Sequence, residues 1–314
     1  MQASQGLSVV LGATGAIGST VMDELSKQGR AVRAVSRKST STNGAVEHVA
    51  ADITEPGSLA RALDGAAVVY LCAQPPYADW PTRFVPMVRG VVDAMAETNA
   101  VLVYADNLYA YGPPAGPLTE STPIRPISSK GRVRAEAAQL IIEAHAAQRI
   151  RAVLGRASDY FGPRGVATVN GPRTFGAVVA GKPASWLGSL DVPHSMSYIE
   201  DIARALVVLS DRPDAWGRAW HIPSHTQTAR EFLRRVHEVA GRPPRIRTTG
   251  RRMLAIGGLF LPAAREVREM MYQFERPFVS DAADFERHLG PFTPVPLDAA
   301  IDSTLAWWRS HSAK

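Results

Sequence analysis

The chain has 314 residues, 46% hydrophobic and 20% charged, with 35 Lys and Arg against 29 Asp and Glu, a net charge of +6. That is apolar material for a full core and the profile of a globular protein, one large domain or a domain with an appended lobe. A single cysteine, Cys72, excludes an intrachain disulfide framework and a Cys-based zinc site. The N-terminus shows no charged segment followed by an apolar one, so no secretion signal is expected. The longest apolar stretch, Met253–Ala264, is far short of the ~20 residues a membrane span needs. A cytoplasmic protein that engages no membrane is the expectation.

In chain order, LSVVLGA (Leu7–Ala13) reads as a strand and GSTVMDELSKQG as an amphipathic helix ended by Gly29. AVRAVSR and VEHVAAD are the second and third strands, PGSLARALDG a helix closed by Gly65, and AVVYLCA a fourth strand in which Cys72 reads as a buried residue. RFVPMVRGVVDAMAETN (Arg83–Asn99) is the next helix and AVLVYAD the fifth strand. KGRVRAEAAQLIIEAHAAQ (Lys130–Gln148) is a long helix, followed by the strand IRAVLGRAS. Near-continuous apolar strands alternating with helices predict a parallel sheet covered on both faces, a doubly wound α/β fold. After about residue 163 the rhythm breaks. A loop-rich segment holds a short helix around Thr174–Ala180, YIEDIARALVVLSD returns as a helix and RAWHIPS as a strand. From about Gln227 the chain is helical and irregular. The basic stretches Lys130–Arg134 and Arg242–Arg252 are short and lack interleaved aromatics. They read first as solvated faces, next as attraction for an anionic small molecule, and last as a nucleic-acid surface.

The stretch SVVLGATGAIGS carries three glycines, Gly12, Gly15 and Gly18, just where a strand becomes a helix at the head of a βαβαβ run. That context gives the pattern its meaning. Gly12 permits the tight turn, Gly15 lets a diphosphate approach bare main chain, and Gly18 allows close packing of helix on strand. The phosphates then rest on helix N-terminal N–H groups. At the end of the second strand an acid would select NAD; here stand Ser36, Arg37 and Lys38. Arg37 can pair bidentately with a 2′-phosphate, so NADP is preferred and NAD is the lesser alternative. The rival reading has Arg37 and Lys38 merely solvating a turn.

The spacing G-x-x-G-x-x-G resembles the extended short-chain dehydrogenase/reductase superfamily, in the form of the NAD-dependent epimerase/dehydratase family. Further ordered matches are AADIT (Ala50–Thr54), YADNLYAYGP (Tyr104–Pro113), GRASDYFGPR (Gly155–Arg164), HSMSYIEDIARAL (His194–Leu206) and the ending LDAAIDSTLAWWR. The resemblance implies a Rossmann-type sheet with a second, smaller, mostly helical substrate lobe. The division implied is 1–165, with 192–224 returning, for the nucleotide, and 166–191 with 225–314 for the substrate. It implies cofactor contacts at Gly12, Thr14, Gly15, Ala16, Ile17 and Gly18, at Ser36, Arg37 and Lys38, at Asp52 and Ile53, and at Cys72, Ala73 and Gln74. A homodimer packing helices of neighbouring sheets is a further implication.

The catalytic pattern departs from the family. Asn107 stands where a Ser or Thr orients the substrate oxygen; its amide can donate but cannot relay a proton as a hydroxyl does. The helix that should carry Tyr-x-x-x-Lys has no Tyr. One register sets Lys130 at the Tyr position and Arg134 at the Lys position; a rival sets Ser128 and Arg132 there. Beside Arg134 and an oxidised nicotinamide, Lys130 would have its pKa lowered and could act as acid or base, with solubilising surface residues as the bland alternative. Tyr109 is a second candidate for substrate contact; Asp106 could place a carboxylate near the nicotinamide and His194 could lie near the substrate, but packing or hydrogen bonding is the first reading for both, as packing is for Tyr111. Trp186 falls in the variable insertion. His221 and His225 stand four apart, but Pro223 between them excludes a shared helical face, and no metal is expected. These readings predict an NADP-dependent oxidoreductase or epimerase-like enzyme that transfers hydride to or from a small carbonyl, alcohol or sugar-like substrate. The alternatives are a dinucleotide-binding protein without redox turnover and a non-redox isomerase or lyase.

Overall fold

The computed structural model describes residues 6–38, 46–251, 253–254 and 262–311. Arg252, which ends the second basic stretch, and 255–261 of the apolar stretch lie outside the described residues. Strands and helices are numbered along the chain. Seven strands form one parallel sheet in the order β10-β6-β5-β4-β1-β2-β3. They are β1 (Leu7–Leu11), β2 (Val32–Ser36), β3 (Val46–Ala50), β4 (Ala66–Leu71), β5 (Val101–Asn107), β6 (Arg151–Ala157) and β10 (Ala219–His221).

The central strands are apolar on both sides because helices cover both faces. On one face α2 (Pro56–Leu63), α3 (Trp80–Ala96) and α4 (Ser129–Ala146) bury Leu59, Phe84, Val88, Val91 and Ile141 against Val9, Leu11, Val69 and Leu102. On the other, α1 (Ala16–Lys27) and α6 (Ile199–Ser210) bury Val21, Leu25, Ile202 and Leu206 against Val10, Tyr70 and Val103. Helix α10 (Ala283–Leu289) adds Phe285 to that second cluster. Helix α3 begins at Trp80, three residues before the sequence reading, because Pro81 suits a first helical turn and buried Trp80 packs on Phe84. Ser128 caps α4 by accepting the Gly131 N–H at 2.9 Å.

The remaining chain is mostly helical, as read from the sequence, and adds short strands that the sequence reading did not mark. It contains β7 (Asp159–Phe161), β8 (Ala184–Leu187), β9 (Pro193–Tyr198), β11 (His225–Thr228) and β12 (Ile246–Thr249), paired as β11-β9-β7 and β12-β8. These strands are three to six residues long, and HTQT and IRTT are polar, so neither length nor apolar periodicity marks them. Trp186 sits in β8 and is buried, not in a loop. The expected short helix is instead a π-helical turn, Gly171–Gly176, running into α5 (Ala177–Val179). Helices α7 (Ala229–Val239), α8 (Pro262–Glu269), α9 (Tyr272–Glu275) and α11 (Leu297–His311) complete the region. Its core joins Phe161, Phe175, Trp186, Phe232, Phe274 and Trp308. Among the described residues no helix is long and apolar enough to cross a membrane.

Candidate active site

The C-terminal ends of β1, β4, β5 and β6 open on a cleft of about 830 Å³, walled on its far side by residues of β8, α8 and α9. Strand order reverses between β1 and β4, the position at which a doubly wound sheet leaves a crevice. Gly12 has φ 87°, and a Cβ there would lie 2.7 Å from the main-chain N of Ala73. A Cβ on Gly18 would fall on the Gly12 carbonyl; Gly18 therefore supports the turn from beneath and is not part of the cleft wall. At Gly15 the nearest atom to a Cβ would be the Gly12 oxygen at 3.3 Å, so the approach to its main chain is open. Helix α1 begins here with no side-chain cap and no acid in its first turn. Its first N–H groups face the cleft beside Thr14, Ala16 and Ile17 and suit an anionic group.

Along the side wall, Ser36 Oγ donates to the Lys38 carbonyl at 2.6 Å. Arg37 lines the cleft, exposed and without an ion pair among the described residues; Lys38 is exposed and stands outside the lining. Asp52 and Ile53 line the same wall. Asp52 Oδ1 accepts Thr54 Oγ1 (2.7 Å) and N (2.9 Å), which holds the carboxyl below its ordinary range. Cys72, Ala73 and Gln74 follow β4 and form part of the floor. Burial pushes the Cys72 thiol up to about 12, so it stays neutral.

At the deep end Arg134 is 5% exposed. It donates to Tyr104 Oη (2.7 Å) and Gln74 Oε1 (3.0 Å), lies 3.6 Å from Asp106 Oδ1, and rests on the rings of Trp80 and Phe84, each 4.6 Å away. Its Nε–H and Asp106 Oδ1 are buried without a hydrogen-bond partner. Asp106 Oδ2 accepts Arg156 Nε at 2.9 Å, and Arg156 in turn donates to Tyr111 Oη. Tyr111 also meets His221 Nε2 at 2.7 Å; burial, then Arg156, lowers the His221 pKa to about 4. Tyr111 is thus a packed network residue.

Lys130 requires correction. It is 2% exposed and does not line the cleft. Its Nζ donates to the Tyr77 carbonyl (2.6 Å), pairs with Glu266 (3.3 Å) and sits over the Tyr77 ring. Nor do Lys130 and Arg134 belong to a solvated face: both point inward from α4, and of the three cations only Arg132 is exposed. An ammonium enclosed among an aromatic ring, a carbonyl and a carboxylate is already satisfied. Asn107 and Tyr109 do line the cleft, with Asn107 Oδ1 accepting the Tyr109 N–H at 3.1 Å. Burial foremost, then the Asp159 charge, raises the Tyr109 phenol well above its ordinary pKa.

Asp159 and Gln273 escaped the sequence reading as functional candidates, and His194 was read first as a packing residue. Asp159 lines the cleft at the start of β7, and its Oδ2 meets His194 Nε2 at 2.9 Å. His194 Nδ1 faces the main-chain carbonyl of Gln273 at 3.2 Å. Gln273 is among the residues around the cleft and 1% exposed, and its buried amide has no partner for either Nε2 or Oε1. Asp159 had a signal, an acid just past a strand end within GRASDYFGPR; nothing in sequence marks Gln273. Among the described residues no three His, Cys, Asp or Glu side chains are gathered to hold a metal.

The family model described as the NAD dependent epimerase/dehydratase family matches residues 8–222. No curated protein matches the chain in sequence. Among solved structures, the chain is similar to a UDP-glucuronic acid 4-epimerase from Bacillus cereus in complex with NAD (16% identity, 98% of each chain, TM-score 0.80). It is similar also to a dTDP-glucose 4,6-dehydratase from Streptomyces venezuelae with NAD bound (18% identity, 98% of each chain, TM-score 0.79). A UDP-glucose 4-epimerase from Thermotoga maritima aligns at 17% identity over 98% of this chain and 100% of its own, with TM-score 0.78. At these identities the likeness establishes a shared fold.

Proposed function

The chain belongs to the NAD-dependent epimerase/dehydratase family, and from that premise we propose that it binds NADP in this cleft and moves hydride to or from a small hydroxyl- or carbonyl-bearing substrate. The observation that carries the reading is the bare main chain at Gly12 and Gly15, under an uncapped α1 N-terminus, opening into a cleft of about 830 Å³. The residues suit the cofactor. The first N–H groups of α1 would hold a diphosphate, and Asp52 Oδ2, not engaged by Thr54, is available to the adenosine. The unpartnered Arg134 Nε–H is a donor in search of an acceptor, as a ribose hydroxyl would be. A bound nicotinamide supplies a carbon that takes up and returns hydride.

Arg37 supports NADP, since an exposed guanidinium with no direct ion pair among the described residues can clasp a 2′-phosphate. The dehydratase and the glucuronic acid epimerase carry NAD, which supports the lesser alternative. The lack of a tyrosine on α4 favours, as a second reading, nucleotide binding without redox turnover. Fluorescence titration with NADPH and NADH, followed by absorbance at 340 nm with a carbonyl panel, tests both. Arg37→Glu is expected to raise the Kd for NADPH by roughly 10²-fold, the loss of a charge-assisted contact, while shifting NADH less than about threefold. Equal weakening of the two removes the NADP assignment, and binding with no oxidation on any substrate favours the second reading.

A further inference from the structure

Hydride transfer to or from an oxygen-bearing carbon needs a group that gives or takes a proton at the oxygen. The cleft offers few. The Cys72 thiol and the Tyr77, Tyr109 and Tyr160 phenols are all driven by burial toward their neutral forms. Asp106 is bridged by Arg156 and Arg134, and Lys130 is enclosed behind Tyr77. Asp52 lies at the opposite end, beside Arg37.

Asp159 is different. Among the described residues the only hydrogen bond to its carboxylate is from His194 Nε2, at 2.9 Å. The Gln273 carbonyl on the other side of that ring can only accept, so Nδ1 carries a hydrogen. Two lone pairs cannot face each other at 2.9 Å, so one further proton lies between Nε2 and the carboxylate, as imidazolium with carboxylate or imidazole with carboxylic acid. The ring is held between Phe274 (8° between planes, 5.4 Å) and Phe278 (29°, 5.7 Å), with Trp186 edge-on at 5.5 Å. His194 therefore does not swing into the cleft, and Asp159, which lines it, is the route by which the shared proton reaches a ligand.

We propose that Asp159 is the acid/base group of this cleft, that His194 positions it and holds the shared proton, and that the Gln273 amide orients a neutral hydroxyl of the substrate. The inference rests on the nicotinamide reading above. In the oxidative direction the substrate O–H bond breaks and its proton passes to Asp159. The adjacent carbon loses its hydrogen with the electron pair to the oxidised nicotinamide, and C=O forms. The dyad then holds two protons and releases one to water; reduction reverses each transfer. The unpartnered Gln273 amide offers one acceptor and two donors, which suits a hydroxyl next to the reacting carbon. The Asp159 charge disfavours a carboxylate or phosphate at that position, so the substrate class is a neutral polyol or hydroxycarbonyl at its reacting end.

Asp159→Asn is the decisive variant, because its amide can still donate to His194 Nε2 and spare the fold. The parent and variant are compared by thermal melting, NADPH titration, ¹⁵N NMR of His194 and turnover on a polyol and hydroxycarbonyl panel. The proposal expects an unchanged melt and NADPH Kd, and kcat lower by roughly 10²–10⁴-fold with KM little altered. It also expects a parent His194 spectrum with Nδ1 protonated and a downfield Nε2 proton that disappears in the variant. His194→Gln should move the pH profile of kcat more than it moves KM. A variant kcat within about threefold of the parent overturns the role of Asp159, and a His194 spectrum with bare Nδ1 overturns the shared proton. If the parent takes up neither nucleotide, the nicotinamide reading fails on that titration alone, and the His194 spectrum still decides the proton.

Discussion

Arg134→Met tests whether the deep end of the cleft is held together as described. The guanidinium satisfies Tyr104 Oη and Gln74 Oε1, offsets the buried Asp106 carboxylate at 3.6 Å, and stacks between Trp80 and Phe84. Methionine can fill the space between the rings but leaves a buried phenol and a buried carboxylate short of a partner. Breaking a buried ion pair costs about 3–5 kcal/mol. Asp106 keeps Arg156 at 2.9 Å, which pulls toward the lower end, while the orphaned Tyr104 hydroxyl pulls upward. With an unfolding entropy of about 2.1 cal/mol/K per residue over 314 residues, the melting midpoint should fall by about 5–8 °C. Circular dichroism melts read this directly. Arg134→Lys keeps the charge but, as a point donor, cannot span Tyr104, Gln74 and Asp106 together, and should fall between the two. A midpoint for Arg134→Met within about 2 °C of the parent would refute the network as a source of stability.

Two further outcomes are expected. Gly15→Ala should melt within about 2 °C of the parent yet bind NADPH at least about tenfold more weakly, whereas Gly18→Ala, whose Cβ falls on the Gly12 carbonyl, should lose about 1–3 kcal/mol of stability; equal melts for the two variants would contradict the cradle geometry. Asp201 is buried in the first turn of α6, and burial raises its pKa to about 6 despite the Val295 N–H and Arg204. The folded state therefore binds more protons than the unfolded one between about pH 4 and 6, and the Asp201 contribution is lost as pH rises through that window. Asp201→Asn, which does not titrate, should gain on the parent by up to about 3 kcal/mol from pH 4 to pH 6 in urea titrations; a pH-independent difference would show that the carboxyl is not perturbed.

The sheet was legible because its signals are local. Apolar runs such as Val9–Leu11 and Val68–Leu71, helix ends at Gly29 and Gly65, and the β1–α1 glycines need only neighbours within a turn or a strand to state their purpose. The cleft wall was legible for the same reason, since Gly12, Gly15, Arg37, Asp52 and Gln74 all sit at or just past strand ends, and a parallel sheet gathers those ends on one edge. Lys130 and Arg134 were harder. Both lie on one helix, but only the packing of α8 and of the turn at Tyr77–Asp79 against α4 decides that one cation is enclosed by Glu266 while the other reaches the cleft.

By itself, then, the order of residues determined a doubly wound sheet, the glycine turn between β1 and α1, and membership of a family whose tyrosine α4 lacks. Tertiary structure alone decided which side chains meet beside the cleft. Asp159 and His194 are 35 residues apart and His194 and Gln273 are 79 apart, on segments too short or too polar to announce themselves. Periodicity reports which side of an element is buried. Which buried groups face one another depends on how distant elements dock, and it is that docking that backs the Asp159 carboxylate of the cleft with a buried imidazole.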